Sequence, residues 1–397
     1  VRTVKLGSLL KRRNVTVPIS PTSSYQEVTV RLWGKGVVSR GVIPGARIGS
    51  DRRFQVKCGE LLLSRIDARN GAIGIVPSDL DGAVVTNDFP VFDIDQSQLD
   101  RSFIHWITKS SLFVEECARA SEGTTNRVRL KEDRFLNIEI RLPALQEQTR
   151  LSERVAELNN KLTDAHRLRV MALSELDALV PSLRDRLFSQ LQSDTTVTKR
   201  QLGEVARIRT GYAFRSEDYR ETGSLIFRVS NIRENGDVDL ASCVYLDPTL
   251  EEKLSEYRLL VGDILMVMVG GSVGKLCMLP PAMPPALMNQ NMWRFNPLNP
   301  QELSPRYLFH FLHWCNNNLK SGLTSSTHGH LTQTVYKAYK IPVPSVVSQK
   351  QIEGLLDAAL DKVRLLKGLQ AEGDREVRAI LPTLLNNLFL SGGLASS

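Results

Sequence analysis

Between Leu151 and Leu183 the apolar positions step by four and three. They run Leu151, Val155, Leu158, Leu162 and Ala165, then Ala172, Leu176, Leu179 and Leu183. The same rhythm returns in Ile352, Leu356, Ala359, Val363 and Leu366, then in Val377, Ile380 and Leu384. A stripe with this spacing lies along one side of an α-helix and packs against a second helix. Each stripe is broken once by a polar residue, Arg169 in the first and Gln370 in the second. Such a break lowers stability but helps fix register. In an antiparallel pair both breaks fall near the middle.

The two stripes are copies. Residues 143–188 align with 344–389 without a gap, and ten of the 46 positions are identical, Pro143/Pro344, Gln148/Gln349, Pro181/Pro382 and Phe188/Phe389 among them. A match that tolerates no insertion predicts a rigid element. About 40 helical residues span roughly 60 Å, and two such helices paired antiparallel give the chain an internal pseudo-two-fold repeat. Pro143 and Pro344 stand just before the helices. Pro181 and Pro382 fall late in the pattern, where each should kink the helix or start a new one.

The segments between the helices alternate on a shorter period. They read as short strands broken by Gly, Asn and Asp turns, as in LIFRVSNIRENGDVDL, with a few helices. They also repeat loosely. Leu6-Gly7 matches Leu202-Gly203, Gly59-Glu60-Leu61-Leu62 matches Gly262-Asp263-Ile264-Leu265, and Arg101-x-x-x-His105-Trp106 matches Arg306-x-x-x-His310-Phe311. The predicted architecture is α+β: mixed α/β blocks at 1–142 and 197–343, and long helices at 143–196 and 344–397.

Charge changes the picture. The excess of Lys and Arg sits in the two blocks, 22 against 16 acidic residues in 1–142 and 16 against 13 in 197–343, while the helical segments are close to neutral. Two basic blocks on neutral supports point to two contacts with a polyanion. No apolar run reaches the ~18 residues of a membrane helix. The start VRTVKLGSLLKRRN has no apolar stretch of signal-peptide length, so a cytoplasmic location without membrane contact is expected. The five cysteines are scattered and never spaced C-x-x-C, which argues against a zinc site or a disulfide framework.

This layout resembles the specificity (S) subunit of type I restriction-modification systems, the HsdS family. The resemblance covers essentially the whole chain. It rests on the alternation of blocks and helices, on the P-x-x-x-x-Q opening of each helix (Pro143 to Gln148, Pro344 to Gln349) and on the L-x-x-x-L-F close (Leu183 to Phe188, Leu384 to Phe389). SYQEVTVRLWGKGVVSRG and SRIDARNGAIGIV look like one version of the family's target-recognition domain, and GYAFRSEDY with RVSNI looks like another. The resemblance implies two target-recognition domains, each reading one half of a split double-stranded DNA target. It implies that the helix pair acts as a ruler and docks two methyltransferase (M) subunits, with nuclease-translocase (R) subunits joining for cleavage. Unlike blocks imply unlike half-sites.

An S subunit contains no catalytic motif, and none stands out. VGGSVGKLC (269–277) has Val269 and Leu276 where a phosphate-binding P-loop needs Gly and Ser/Thr. NPLN at 296–299 lacks the second proline and the aromatic of an amino-methyltransferase motif. His328 and His330 have no Cys or paired carboxylate nearby. No cofactor, metal or catalytic residue is therefore assigned. The alternatives are a single-chain DNA modification enzyme, against which the missing motifs argue, and a scaffold with basic interaction domains.

DNA contact calls for Arg and Lys at phosphates, and for Arg, Asn, Gln, Ser or Thr at base edges. In the first block the candidates are Lys35, Arg40, Arg47, Arg52 and Arg53, then Arg69 and Asn70 at a turn, and Thr124, Thr125, Asn126 and Arg127 in a late loop. In the second block they are Tyr212, Arg215, Ser216, Arg228, Asn231, Arg233, Asn289, Gln290 and Asn291, with Ser325, Thr327, His328 and His330. Trp33, Trp106, Trp293 and Trp314 are expected as core or platform residues and not as base-stacking groups.

Overall fold

The computed structural model describes residues 1–123, 128–268, 270–321 and 332–393. The chain forms two compact units, Val1–Val170 with Leu369–Ser397, and Met171–Gly368. The first long helix covers Leu145–Ser193 and the second Val346–Ser391, so each helix contributes to both units.

In unit 1 a two-stranded ribbon, Arg2–Lys5 against Glu139–Leu142, closes the block at the foot of the first long helix. A four-stranded antiparallel sheet follows in the order Leu10–Arg13, Val91–Ile94, Leu61–Leu63, Ile73–Ile75. Unit 2 repeats both features. Lys199–Gln201 pairs with Lys340–Pro342, and the sheet runs Ala206–Thr210, Met292–Pro297, Ile264–Val267, Leu276–Met278. Taken in chain order, the strands of both sheets lie first, fourth, second, third. The Gly-Glu and Gly-Asp motifs explain part of this likeness. Gly59 and Gly262 adopt φ +82° and +84°, the left-handed region that glycine enters freely. The next residue, Glu60 or Asp263, turns its carboxylate back onto a backbone N–H three positions earlier, Lys57 at 2.6 Å and Leu260 at 2.9 Å. Each buried carboxylate also pairs with a buried arginine, Arg13 at 2.8 Å and Arg294 at 3.4 Å.

The second sheet of each unit is different. Unit 1 carries five strands in the order Thr16–Pro18, Arg52–Gln55, Val84–Val85, Ser24–Arg31, Gly36–Pro44, ending in a long hairpin. Unit 2 carries four, Val244–Leu246, Ser224–Phe227, Ala286–Met288, Arg258–Leu259, with one parallel pair at its centre.

The P-x-x-x-x-Q opening locks each long helix to its block. Gln148 is fully buried. Its side-chain oxygen accepts from the Asp100 backbone N–H at 2.8 Å, and its amide donates to the carbonyls of Gln98 (2.8 Å) and Pro143 (3.0 Å). Gln349 is equally buried; it accepts from the Ser304 N–H at 2.9 Å and donates to Glu302 (2.8 Å) and Pro344 (2.9 Å). Asp100 and Ser304 stand directly before the helices Arg101–Ile107 and Pro305–Ser321. One glutamine thus fixes the entry of a long helix and the start of a short one.

Within each unit the opening of one long helix meets the closing part of the other, running antiparallel. In unit 1 Leu151 and Val155 share a core with Leu384, Leu385 and Leu388, and Phe389 meets Phe113 edge-on at 6.0 Å. In unit 2 Ile352 and Leu356 share a core with Leu183, Leu187 and Phe188. Phe188 lies within 5.7 Å of the rings of Tyr307, Phe311 and Trp314.

Of the predicted seam, Leu151, Val155, Leu356 and Val363 are buried, while Leu158, Leu162, Leu176, Leu183, Ile352, Val377 and Leu384 are half-buried. Leu179, Leu366 and Ile380 are exposed instead, and Val180 and Leu385 are buried. Further along the same helices Leu183 and Leu384 pack on the cores again, so the stripe departs from the contact face locally and not progressively. Of the two outcomes expected at the late prolines, a new helix start is absent. Both helices run on through Pro181 and Pro382, and both rings face solvent. The polar break at Arg169 is filled by charge: Arg169 and His166 both reach Asp374, at 3.8 and 3.7 Å.

Candidate nucleic-acid interface

The hairpin Ser24–Arg31/Gly36–Pro44 forms the edge of the unit 1 second sheet. Its sequence alternates, with Val28, Val30 and Val37 buried and the intervening side chains at or near the surface. Lys35 lies in its tip and Arg40 on its outer strand, both exposed. Arg47 follows in the short turn Gly45–Arg47, and Arg52 opens the strand Arg52–Gln55; both are exposed. Among the described residues none of these four cations has a carboxylate partner. Exposed, unpaired guanidinium and ammonium groups are free to meet phosphates. Arg53 differs: it is half-buried, 4.0 Å from Glu27. Arg69 and Asn70 are half-buried and adjoin the hairpin tip, where the Asn70 carbonyl accepts from the Trp33 N–H at 2.8 Å.

Trp33 is the residue that sequence reasoning misplaced. Trp106, Trp293 and Trp314 are all at least nine-tenths buried, but Trp33 is 72% exposed. The available signal was local. Trp33 sits in L-W-G-K-G between two alternating strands, the setting of a hairpin tip.

In unit 2 an isolated bridge joins Tyr212 to Asn289, and the Gln290 N–H donates to the Tyr212 carbonyl at 2.8 Å. These contacts bring Tyr212 together with Asn289, Gln290 and Asn291. Tyr212 is partly exposed, with its ring against Phe214 and Tyr257. Gln290 is exposed and Asn291 half-buried. Asn289 is buried, with its side-chain oxygen 3.3 Å from the Asn291 N–H. Asn231 is fully buried too. It accepts from the Arg228 N–H and donates to the Asp239 carbonyl, both at 2.9 Å. Both asparagines are therefore corrected from base-contacting candidates to residues that shape the loops, the ordinary local role of an Asn amide. Arg215 pairs with Glu217 at 3.2 Å and Arg233 with Asp239 at 3.0 Å, while Ser216 is exposed. Arg228 lies over the Tyr219 ring at 5.9 Å. Among the candidate cations, Arg215, Arg228 and Arg233 of unit 2 are thus engaged, whereas Lys35, Arg40, Arg47 and Arg52 of unit 1 have no carboxylate partner among the described residues. Thr124, Thr125, Asn126 and Arg127, and Ser325, Thr327, His328 and His330, lie outside the described residues.

The foot of the long helix in unit 2 holds a charged network. Arg306 clasps Asp357 with two nitrogens at 2.6–3.0 Å. The His310 Nε2 lies 2.9 Å from the same carboxylate, and its Nδ1 faces the buried Arg184 at 3.3–3.4 Å. Burial and the neighbouring Arg184 push His310 down to about 4, against the pull of Asp357. The neutral ring donates from Nε2 and accepts at Nδ1, and that tautomer fits both neighbours. In unit 1 the corresponding Arg101 and His105 line a cleft of about 420 Å³ together with Ala156, which stands where the repeat places Asp357. Burial, then Lys109, lowers His105 to about 4 as well.

Among the described residues no group of side chains has the arrangement of a metal site. No helix among them is long and apolar enough to cross a membrane.

Residues 195–372 match the family model of the type I restriction modification DNA specificity domain. The chain is 21% identical over 272 residues to the type I restriction enzyme MjaVIII specificity subunit of Methanocaldococcus jannaschii, covering 63% of this chain and 62% of that protein. A provisionally assigned MjaX specificity subunit from the same organism is 26% identical over 165 residues, 40% of this chain and 38% of its own length. The chain therefore spans less than two thirds of either curated relative. Its fold is that of the HsdS subunit of Thermoanaerobacter tengcongensis, with a TM-score of 0.70, 23% identity, and 99% and 97% of the two chains covered. A chain from a structure of type I R-M system assembly and conformational transition gives a TM-score of 0.76 at 21% identity, covering 97% and 96%.

Proposed function

We propose that this chain, which belongs to the specificity-subunit family of type I restriction-modification systems, is the component of such a system that reads DNA. Residues 1–142 and 197–343 act as target-recognition domains for two unlike half-sites in a double-stranded target. The helical regions 143–196 and 344–397 set the gap between them and dock two methyltransferase subunits, and nuclease-translocase subunits join for cleavage. The chain itself is the non-catalytic member and works in the cytoplasm.

One observation carries this reading. The same four-stranded sheet and the same buried glutamine occur twice, and each copy supports a different second sheet. A repeated mount beneath two unlike surfaces suits a molecule that must hold two different readers in one way. The unpaired cations of unit 1 supply the sequence-independent attraction to phosphates.

The test is a salt titration of duplex binding. Replacing Arg40 and Arg52 together by alanine is expected to weaken binding and to reduce the steepness of log K against log salt by up to about two, since each lost phosphate contact removes roughly 0.9 from the slope. Arg53, half-buried beside Glu27, is the poorer choice for this variant. An unchanged slope contradicts the assignment.

A further inference from the structure

Trp33 combines three features seldom found together. It is 72% exposed at the tip of the Ser24–Pro44 hairpin. Its backbone sits at φ +61°, the only non-glycine positive φ among the described residues. The hairpin tip is also clamped in place, with the Trp33 N–H donating to the Asn70 carbonyl at 2.8 Å and the Gly34 N–H to the Gly71 carbonyl at 3.0 Å.

A bulky side chain in the left-handed region is strained, and such strain persists only where surrounding structure enforces it. The clamp supplies that enforcement. Gly71 has no Cβ, and one placed there would lie 3.4 Å from the Trp33 backbone; one on Gly74 would meet Gly36 at 2.9 Å. The fold therefore bears two costs at one residue, a strained backbone and a large ring in water. Glycine at position 33 would remove both. Strained residues of this kind cluster at ligand clamps.

The surroundings indicate what the ring meets. Arg31 and Lys35 flank the tip and are exposed. Arg69 lies next to the clamp, and Lys109 packs under Gly34. None of these four forms an ion pair among the described residues. Lys109 is half-buried with its ammonium over the Trp106 ring at 4.8 Å, which leaves Arg31 and Lys35 as the exposed cations at the tip. An exposed indole flanked by two such cations is complementary to a nucleobase in a polyanion, since every base offers a π-face while the cations take the phosphates.

We propose that Trp33 is a base-stacking wedge, pressing its ring against a nucleobase of the bound duplex. The proposal rests on the DNA-reading function and adds the mode of contact: unit 1 grips through an aromatic face as well as through charge. Apolar wedges that part base steps are a known way of distorting a duplex.

The test uses the full chain and mixed-sequence duplex DNA, with the variants Trp33→Ala, Trp33→Gly and Trp33→Phe. Trp33→Ala is expected to weaken binding about tenfold and to leave the salt slope unchanged, because no charge is lost. Trp33→Gly should melt at a higher temperature than wild type and still bind weakly, which separates stacking from folding. Trp33→Phe should retain part of the affinity. DNA should shield from acrylamide the quenchable tryptophan emission that Trp33→Phe lacks. Wild-type binding by Trp33→Ala and Trp33→Gly, or a Trp33 that stays quenchable on DNA, overturns the proposal and leaves the DNA-reading function standing. So does shielding of Trp33 by methyltransferase subunits in the absence of DNA. A chain that binds no duplex overturns both.

Discussion

Unit 1 and unit 2 grip their long helices with the same glutamine but place different chemistry behind it. In unit 2 Asp357, Arg306, His310 and the buried Arg184 form a charged network, and Asp185 accepts from the Trp314 indole N–H at 3.0 Å. At the positions that the repeat makes equivalent, unit 1 has Ala156, Leu385 and Asn386. Leu385 is core. Asn386 accepts from the Ser111 N–H at 3.0 Å. The shared part is the hydrogen-bonded frame that fixes direction and register. The free part is the filling, which can be apolar or ionic while the frame holds. The second sheets diverge further still, although each packs on its four-stranded sheet, against Leu62 and Val91 in unit 1 and against Leu265, Val267 and Met292 in unit 2.

The strongest way to break the comparison is to remove the frame. Gln148→Ala removes the side-chain partner of the Asp100 N–H and of the Gln98 and Pro143 carbonyls, and Gln349→Ala does the same to the Ser304 N–H and the Glu302 and Pro344 carbonyls. Each loss is expected to cost about 3 kcal/mol. The two units need not unfold together, so hydrogen exchange should be read separately in each. Gln148→Ala should loosen the helix Arg101–Ile107 and leave Pro305–Ser321 protected, and Gln349→Ala should do the reverse. Equal loosening of both units by either variant would show that the frames are not independent.

A smaller effect sharpens the contrast in filling. His310 is neutral in the fold, with its pKa depressed from 6.5 to about 4. Between those values the unfolded chain binds a proton that the folded chain refuses, so stability falls as pH falls. The contribution is fully present above about pH 6.5 and is lost progressively toward pH 4, roughly 2 kcal/mol by pH 5. His105 in unit 1 is depressed in the same direction over the same window. His310→Gln can keep the bonds to Asp357 and Arg184 without titrating. It should reduce the acid sensitivity of unit 2, read as exchange protection corrected for intrinsic rates, to the part that His313, also pushed down by burial, still supplies, and leave that of unit 1. Unaltered sensitivity in unit 2 would place the titrating group elsewhere.

Much of the fold was legible in the sequence because its strongest signals are periodic or repeated. The four-three stripe announced the helices, and the gapless copy announced two of them. The P-x-x-x-x-Q motif was visible too, but its role was not, because Gln148 bonds to a segment about 50 residues upstream that no local pattern links to it. Leu179, Leu366 and Ile380 fit the stripe and still face water, because spacing alone does not tell which neighbouring apolar position packs: Val180 is buried beside exposed Leu179. The candidate site was less readable. Asn231 and Asn289 have the chemistry of adenine readers, but their amides hold loops, and only three-dimensional burial separates the two roles. Trp33 had the composition of a core residue and lies outside, because its position is set by the turn and not by its hydrophobicity.

The central claim is that two unlike readers on equal mounts are held at a set distance along DNA. Mapping the methylated adenines left by the complex assembled on this chain tests it most directly, for the wild type and for a variant with four residues inserted after Leu162. The account predicts two unlike half-sites with a fixed gap, and in the variant the same half-sites with a changed gap. A single continuous target, or altered half-site bases with the gap unchanged, would contradict it.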